Sequence, residues 1–237
     1  MQLADALIVS HGQPSDPIPA ENALHRLVEG VQDKMSDTVL SCATMAAPGR
    51  LEQALERLKP GGAIYPLFMT DGWFVRTALA GRVASRQGDI MVPFGMDPAL
   101  PGIAAEQVQE SLQSENASLF VVAHGSGSGR SAPARVTRTF SAALGKLLPD
   151  ARVEVGFLEQ DPSIIDMCKK VGKGALCLPY FAMEGEHVRD DVDAALKSGG
   201  FTGHVLPVIS SFPGVDQMIA DAISGYEADH SLLRSAS

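Results

Sequence analysis

The sequence is poor in cysteine, has no long apolar run and carries no excess of positive charge. Cys42, Cys168 and Cys177 are its only cysteines, and none stands in a C-x-x-C pair. An odd, unpaired set fits reduced and mostly buried thiols and argues against a cysteine-held iron–sulfur cluster or structural zinc. No apolar run approaches the ~18 residues that a membrane-spanning helix needs. The first apolar run leads straight into His11 with no basic stretch before it. That is unlike a secretory signal, so the expected compartment is the cytoplasm. Lys and Arg number 19 against 28 Asp and Glu, a net charge of −9. A nucleic-acid partner calls for a basic surface and is not expected. An anionic small molecule remains compatible where arginines gather locally.

What the chain does contain is a copy of itself. Leu7-Ile8-Val9-Ser10-His11-Gly12 reads like Phe120-Val121-Val122-Ala123-His124-Gly125, and the segment Pro66–Arg76 reads like Pro179–Arg189, both at an offset of 113. Two matches at one offset indicate duplication, with repeats at 1–114 and 115–237. A half of this size can bury its own core. In each half short apolar runs alternate with amphipathic stretches. Strands are predicted near 4–10, 38–44, 63–68 and 89–94, then near 118–123, 152–158, 175–181 and 203–208. Helices are predicted between them, including one opened by Pro48 and ended by Gly61-Gly62, and others over 73–86 and 186–198. Ala20, Leu24, Leu27, Val28, Val31 and Met35 keep a helical spacing. The polar stretch 113–118 reads as the linker and 228–237 as a loose tail. The pattern predicts an α/β fold of two similar flavodoxin-like domains, each a parallel sheet with helices on both faces.

Ligands of open α/β sheets bind beyond the carboxyl ends of the strands. His11, His124, Glu159 and His187 all follow predicted strands within a few residues, so they can converge on one edge, in the cleft between the halves. Aligning Cys42–Pro48 with Gly156–Pro162 puts Met45 opposite Glu159, and Phe74 stands opposite His187. One half keeps a polar set and the other has lost two of its members, which suggests one site. Two imidazoles and a carboxylate suit a borderline divalent ion or proton removal near neutral pH. Taken singly, each has a plainer reading: Glu159 as a solvated carboxylate near a helix start, His187 as a surface residue in a first helical turn. Gly125-Ser126-Gly127-Ser128-Gly129-Arg130 follows a strand and precedes a helix, as a phosphate loop would. It lacks the Gly-Lys-Ser/Thr ending and the Gly-x-Gly-x-x-Gly spacing, and a flexible turn giving a large ligand access to the backbone fits equally.

His124-Gly125-Ser126, Gly156-Phe157-Leu158-Glu159-x-x-Pro162-Ser163-Ile164 and Pro179-Tyr180-Phe181-x-x-x-Gly185-x-His187-Val188-Arg189-x-Asp191 resemble the CbiX-type sirohydrochlorin chelatases, in their long two-copy form. The resemblance implies an ATP-independent, lyase-type chelatase inserting Fe2+ or Co2+ into sirohydrochlorin, towards sirohaem or cobalamin. It implies that His124, Glu159 and His187 bind the incoming metal and accept protons, with no cofactor beyond that metal. His11 matches the first motif, in a half that lacks the partners. Sirohydrochlorin is a polycarboxylate, so cations must meet it; Arg76, Arg130 and Arg189 lie next to the motifs, and Ser126 sits in the loop. The absence of a histidine-rich or iron–sulfur tail tips the expectation towards iron. A monomer with the repeats acting as a pseudo-dimer is expected. A non-catalytic metal or tetrapyrrole carrier on the same scaffold is the alternative.

Overall fold

The computed structural model describes residues 2–84, 88–112, 118–172, 174–185 and 187–235, without the side chains of 187–189 and 228–235. Two four-stranded sheets form, and every strand pairing in them is parallel. The first contains β1 (Ala4–Ser10), β2 (Leu40–Thr44), β3 (Leu58–Pro66) and β4 (Asp89–Ile90) in the order β2-β1-β3-β4. The second contains β5 (Ser118–Ala123), β6 (Arg152–Phe157), β7 (Leu176–Pro179) and β8 (His204–Val205) in the order β6-β5-β7-β8. The helices between them are α1 (Pro17–Gln32), α2 (Arg50–Glu56), α3 (Ala80–Val83) and α4 (Leu100–Ser111), then α5 (Ala132–Leu147), α6 (Ile164–Val171), α7 (Asp193–Ser198) and α8 (Val215–Ser235). This is the doubly wound arrangement the alternating apolar runs predict. The central strands are the most apolar because both their faces are covered: Leu119 to Val122 have no exposed surface. Among the described residues no helix is long and apolar enough to cross a membrane.

The duplication is visible in the register. Ser10 pairs with Thr44 and Val9 with Pro66, as Ala123 pairs with Phe157 and Val122 with Pro179. In each sheet the order reverses at the central strand, β1 or β5, which is where such sheets open a crevice. His11 and His124 follow those two strands directly.

Several local expectations are corrected. Gly61-Gly62 do not end a helix: α2 stops at Glu56, and both glycines lie inside β3, with Gly61 at φ +69°. The pairing register shifts there, between Ala4 and Ala6, as at a bulge. A Cβ on Gly62 would stand 2.8 Å from the Asp5 carbonyl oxygen, so the close approach of β1 demands glycine. β4 and β8 are two residues each, shorter than predicted. Pro93 and Pro207, which lack the N–H a ladder needs, follow them closely, and short 3-10 turns come next. The predicted helices at 73 and 186 both open as π-helices, Phe74–Leu79 and His187–Val192, before tightening into α3 and α7. The backbone of α8 runs to Ser235, where a loose tail was expected; after Gly225 the sequence has no glycine or proline to stop it.

Repeat and compact unit have different bounds. The compact units are 1–97 with 214–237, and 98–213. The reason is an exchange of closing helices. α4 packs on α5 of the second sheet, and α8 packs on α1 and β3 of the first. Tyr226 Oη donates to Asp89 at 2.8 Å and Thr38 Oγ1 to Glu227 at 3.0 Å, tying α8 to the first unit. The predicted linker lies almost wholly outside the described residues.

Candidate active site

The second unit brings His124 and Glu159 together through its backbone. β5 and β6 run side by side to Ala123 and Phe157, and the ladder continues one step beyond them: the Glu159 N–H donates to the His124 carbonyl at 3.0 Å. The side chains then meet, His124 Nδ1 lying 3.5 Å from Glu159 Oε2. A carboxylate only accepts, so this contact favours the imidazole tautomer that keeps its proton on Nδ1. Both groups are reachable from solvent, with 39% and 48% of their side-chain surfaces exposed.

The glycine-rich loop holds this pair in place. Gly127 N–H donates to Glu159 Oε2 at 3.0 Å, and Ser126 N–H donates to Gln160 Oε1 at 2.9 Å. Gly129 N–H donates to the Ser126 carbonyl, and the Ser126 and Ser128 hydroxyls lie 3.1 Å apart. Three backbone donors of the loop are thus engaged within the protein, two of them by the β6–α6 side chains. That removes the phosphate-cradle reading: the loop positions a carboxylate of its own chain. Gly125 has φ +75°, and a Cβ there would stand 2.7 Å from Gln160 Cγ and 3.0 Å from Phe157 Cβ. The glycine after His124 therefore allows the β6–α6 loop to pass against it. That loop ends in Ser163, whose hydroxyl accepts the Asp166 N–H at 3.1 Å and caps α6.

The first unit shows what the duplication lost. Its equivalent backbone bond joins Ala46 N–H to the His11 carbonyl at 2.9 Å. Ala46, not Met45, therefore occupies the position of Glu159; the loop after it is one residue shorter than its counterpart. His11 Nδ1 lies 2.8 Å from the Gly12 carbonyl, which selects the same tautomer as in His124. Its ring meets Phe74 edge-on, with centroids 4.4 Å apart, and Phe74 in turn contacts Phe68 and the half-exposed Trp73. An aromatic cluster thus stands around a single imidazole.

Of the remaining sequence candidates, Arg76 donates to Asp71 from Nε at 3.0 Å and forms an ion pair with it. Arg130 and Ser126 line a cavity of about 670 Å³ beside the glycine-rich loop. Sequence reading missed Arg135, Arg138 and Gln160 in the same lining. The available signal was the spacing of three between the two arginines at the start of a predicted helix, which puts them on one face. His187 opens the second π-helix at the repeat position of Phe74; its side chain and that of Arg189 lie outside the described residues. Among the described residues no group of three or more His, Cys, Asp or Glu gathers as a metal cluster. Burial, with Glu21 and Glu29 nearby, pushes the Cys42 thiol up to about 12, and burial also raises Cys168 and Cys177.

Over 93% of its length the chain is similar to a solved structure described as CbiX, the terminal enzyme for biosynthesis of siroheme in denitrifying bacteria. The two are 38% identical, the match covers 98% of that chain, and the TM-score is 0.82. The chain belongs to the CbiX family. A family model described as CbiX matches residues 118–227, the half that carries His124, Glu159 and His187. Two more distant structures share the fold. SirB from Bacillus subtilis with Fe3+ is 18% identical at TM-score 0.72, with 94% of this chain and 95% of that one covered. DR2241 from Deinococcus radiodurans, a multi-domain protein with structural similarity to chelatases, is 16% identical at TM-score 0.74, covering 92% of this chain and 54% of that one. No curated protein sequence matches. The His124–Glu159 pair at the end of β5 lies within the residues matched by the family model.

Proposed function

We propose that this protein is a sirohydrochlorin chelatase that inserts Fe2+, in preference to Co2+, into its macrocycle without ATP. The observation that carries the reading is the His124–Glu159 pair at the carboxyl end of β5, in a chain of the CbiX family. Insertion binds a dication to four ring nitrogens and releases two pyrrole N–H protons, so the protein must handle both charges. His124 offers Nε2 to the metal, because Nδ1 faces an acceptor. Glu159 offsets part of the dication's charge and takes a proton as the ring nitrogens lose theirs; Gly127 N–H keeps one of its oxygens oriented. His187 completes the donor set from the start of the π-helix. His11 is assigned to the macrocycle rather than the metal, since Ala46 and Phe74 stand where the second unit has Glu159 and His187.

Ser126, Arg76, Arg130 and Arg189 remain candidates for the ring's carboxylates, Arg76 by exchanging its Asp71 partner. The preference for iron rests on the sirohaem role described for the 38% identical relative. We take the protein to act as a cytoplasmic monomer.

The test is anaerobic metallation of sirohydrochlorin followed by absorbance, with Fe2+ and Co2+ in parallel and His187→Ala as control. Turnover that depends on His187 and is faster with Fe2+ is the expected result. No acceleration over the spontaneous rate with either metal overturns the enzyme and leaves a carrier.

A further inference from the structure

The cavity beside the glycine-rich loop has a charge unlike that of the whole chain. The protein carries a net charge of −9, yet this lining holds Arg130, Arg135 and Arg138 and no carboxylate. Among the described residues none of the three arginines pairs with an acidic side chain. Arg135 and Arg138 lie three apart on α5 and so project from one face of that helix. The Arg138 guanidinium lies 5.6 Å from the centroid of the Phe157 ring, a cation–π contact that holds it in place before any anion arrives. Its volume of about 670 Å³ falls within the span typical of small-molecule clefts. Ser126 and Gln160 line the cavity too, and they are joined by the hydrogen bond that locks the loop beside Glu159. The cationic cavity and the His124–Glu159 pair therefore adjoin through the same two loops, with Arg135 and Arg138 supplied by α5.

We propose that this cavity is a carboxylate subsite in which Arg135 and Arg138, with Arg130, bind carboxylate arms at the edge of the ring substrate. Guanidinium matches carboxylate through two parallel N–H donors, and three such forks in one opening suit a polyanion rather than a single charge. The identity of that polyanion rests on the chelatase reading. The same chemistry would also receive a free small polycarboxylate such as citrate.

The test compares the full-length protein with the Arg135→Gln/Arg138→Gln double variant and with Arg135→Lys/Arg138→Lys. Binding of metal-free sirohydrochlorin is titrated at rising NaCl, and metal insertion is measured as KM and kcat. Losing two charge-assisted contacts should raise Kd and KM about tenfold or more, with the loss falling on KM rather than kcat. The Gln variant should show a shallower salt dependence than the wild-type chain, because fewer charges are screened. The lysine pair should recover part of the affinity and not all, since the charge returns without the fork. Wild-type-like Kd and salt dependence in the folded Gln variant would overturn the subsite. So would citrate binding that needs both arginines while sirohydrochlorin affinity does not. The two readings fail separately. Arginine-dependent sirohydrochlorin binding without metal insertion keeps the subsite and removes the chelatase. Metal insertion indifferent to both arginines does the reverse.

Discussion

Glu159→Gln separates the charge of the site from its shape. The glutamine Oε1 can still accept the Gly127 N–H that now reaches Oε2 at 3.0 Å, so the loop has no reason to move. What disappears is one negative charge 3.5 Å from His124 Nδ1. Unit charges at that separation attract by about 1 kcal/mol in water-like surroundings and by roughly four times as much in a low-exposure setting. With 39% and 48% of the two side chains exposed, the lower figure applies. A dication on Nε2 carries twice the charge but lies farther from the carboxylate, across the ring, so its share is about 1–2 kcal/mol, roughly 5–30-fold in rate. Loss of a proton acceptor adds to this, so a fall in metal-insertion rate of about 100-fold or more is expected. Stability should change by less than about 0.5 kcal/mol, because a half-exposed side chain keeps its hydrogen bond. The assay is the initial rate of Fe2+ insertion into sirohydrochlorin beside a thermal melt. A rate within threefold of wild type in folded protein refutes the role of the carboxylate. A rate loss matched by a fall in Tm shows that Glu159 is structural instead.

The other expectations concern the lost half-site, the glycines and the start of β1. Phe74→His alone should leave cobalt stoichiometry unchanged in equilibrium dialysis, whereas Phe74→His with Ala46→Glu should add a second equivalent; an unchanged count in the folded double variant would sink the repeat correspondence. Gly125→Ala should cost about 2–4 kcal/mol of stability in urea melts, from its positive φ and the 2.7 Å approach to Gln160. Gly127→Ala, whose Cβ would meet only the flexible end of Glu159 at 3.3 Å, should cost far less; equal losses would refute the argument. Burial raises the Asp5 carboxyl, but hydrogen bonds from Lys59 and the Val39 N–H outweigh it and hold the group below its ordinary 3.8. A depressed carboxyl stabilises the fold above its unfolded value and loses that contribution as pH falls through the folded one. Asp5→Asn should therefore destabilise by about 1 kcal/mol at neutral pH, with the gap closing as the pH drops below 3.8; a pH-independent gap would contradict this.

Much of this architecture is local in the chain, and so the amino-acid sequence alone determines it. Buried parallel strands must be apolar on both faces and the helices between them amphipathic, so the alternation from Ala4 to Val205 is written in residue type. The duplication is a comparison of the chain with itself, and it places His11 and His124 at the ends of the two central strands. Tertiary structure decided what depends on how segments meet. A hydrogen-bond register, and no residue pattern, shows Ala46 in the place of Glu159, because the one-residue difference lies in the loop beyond them. An amphipathic helix declares that it will pack and not where, so only the folded chain shows α8 closing the first sheet and α4 the second. Glu21 looks like one more surface acid on α1, yet it is buried, its carboxylate accepting the Thr44 N–H at 2.9 Å at the end of β2. The glycine-rich loop reads as an anion cradle until its donors are seen to hold Glu159 and Gln160. The cationic lining belongs instead to Arg130, Arg135 and Arg138. Their convergence needs a loop, a helix face and the Phe157 ring brought together in space, which the order of residues does not by itself show.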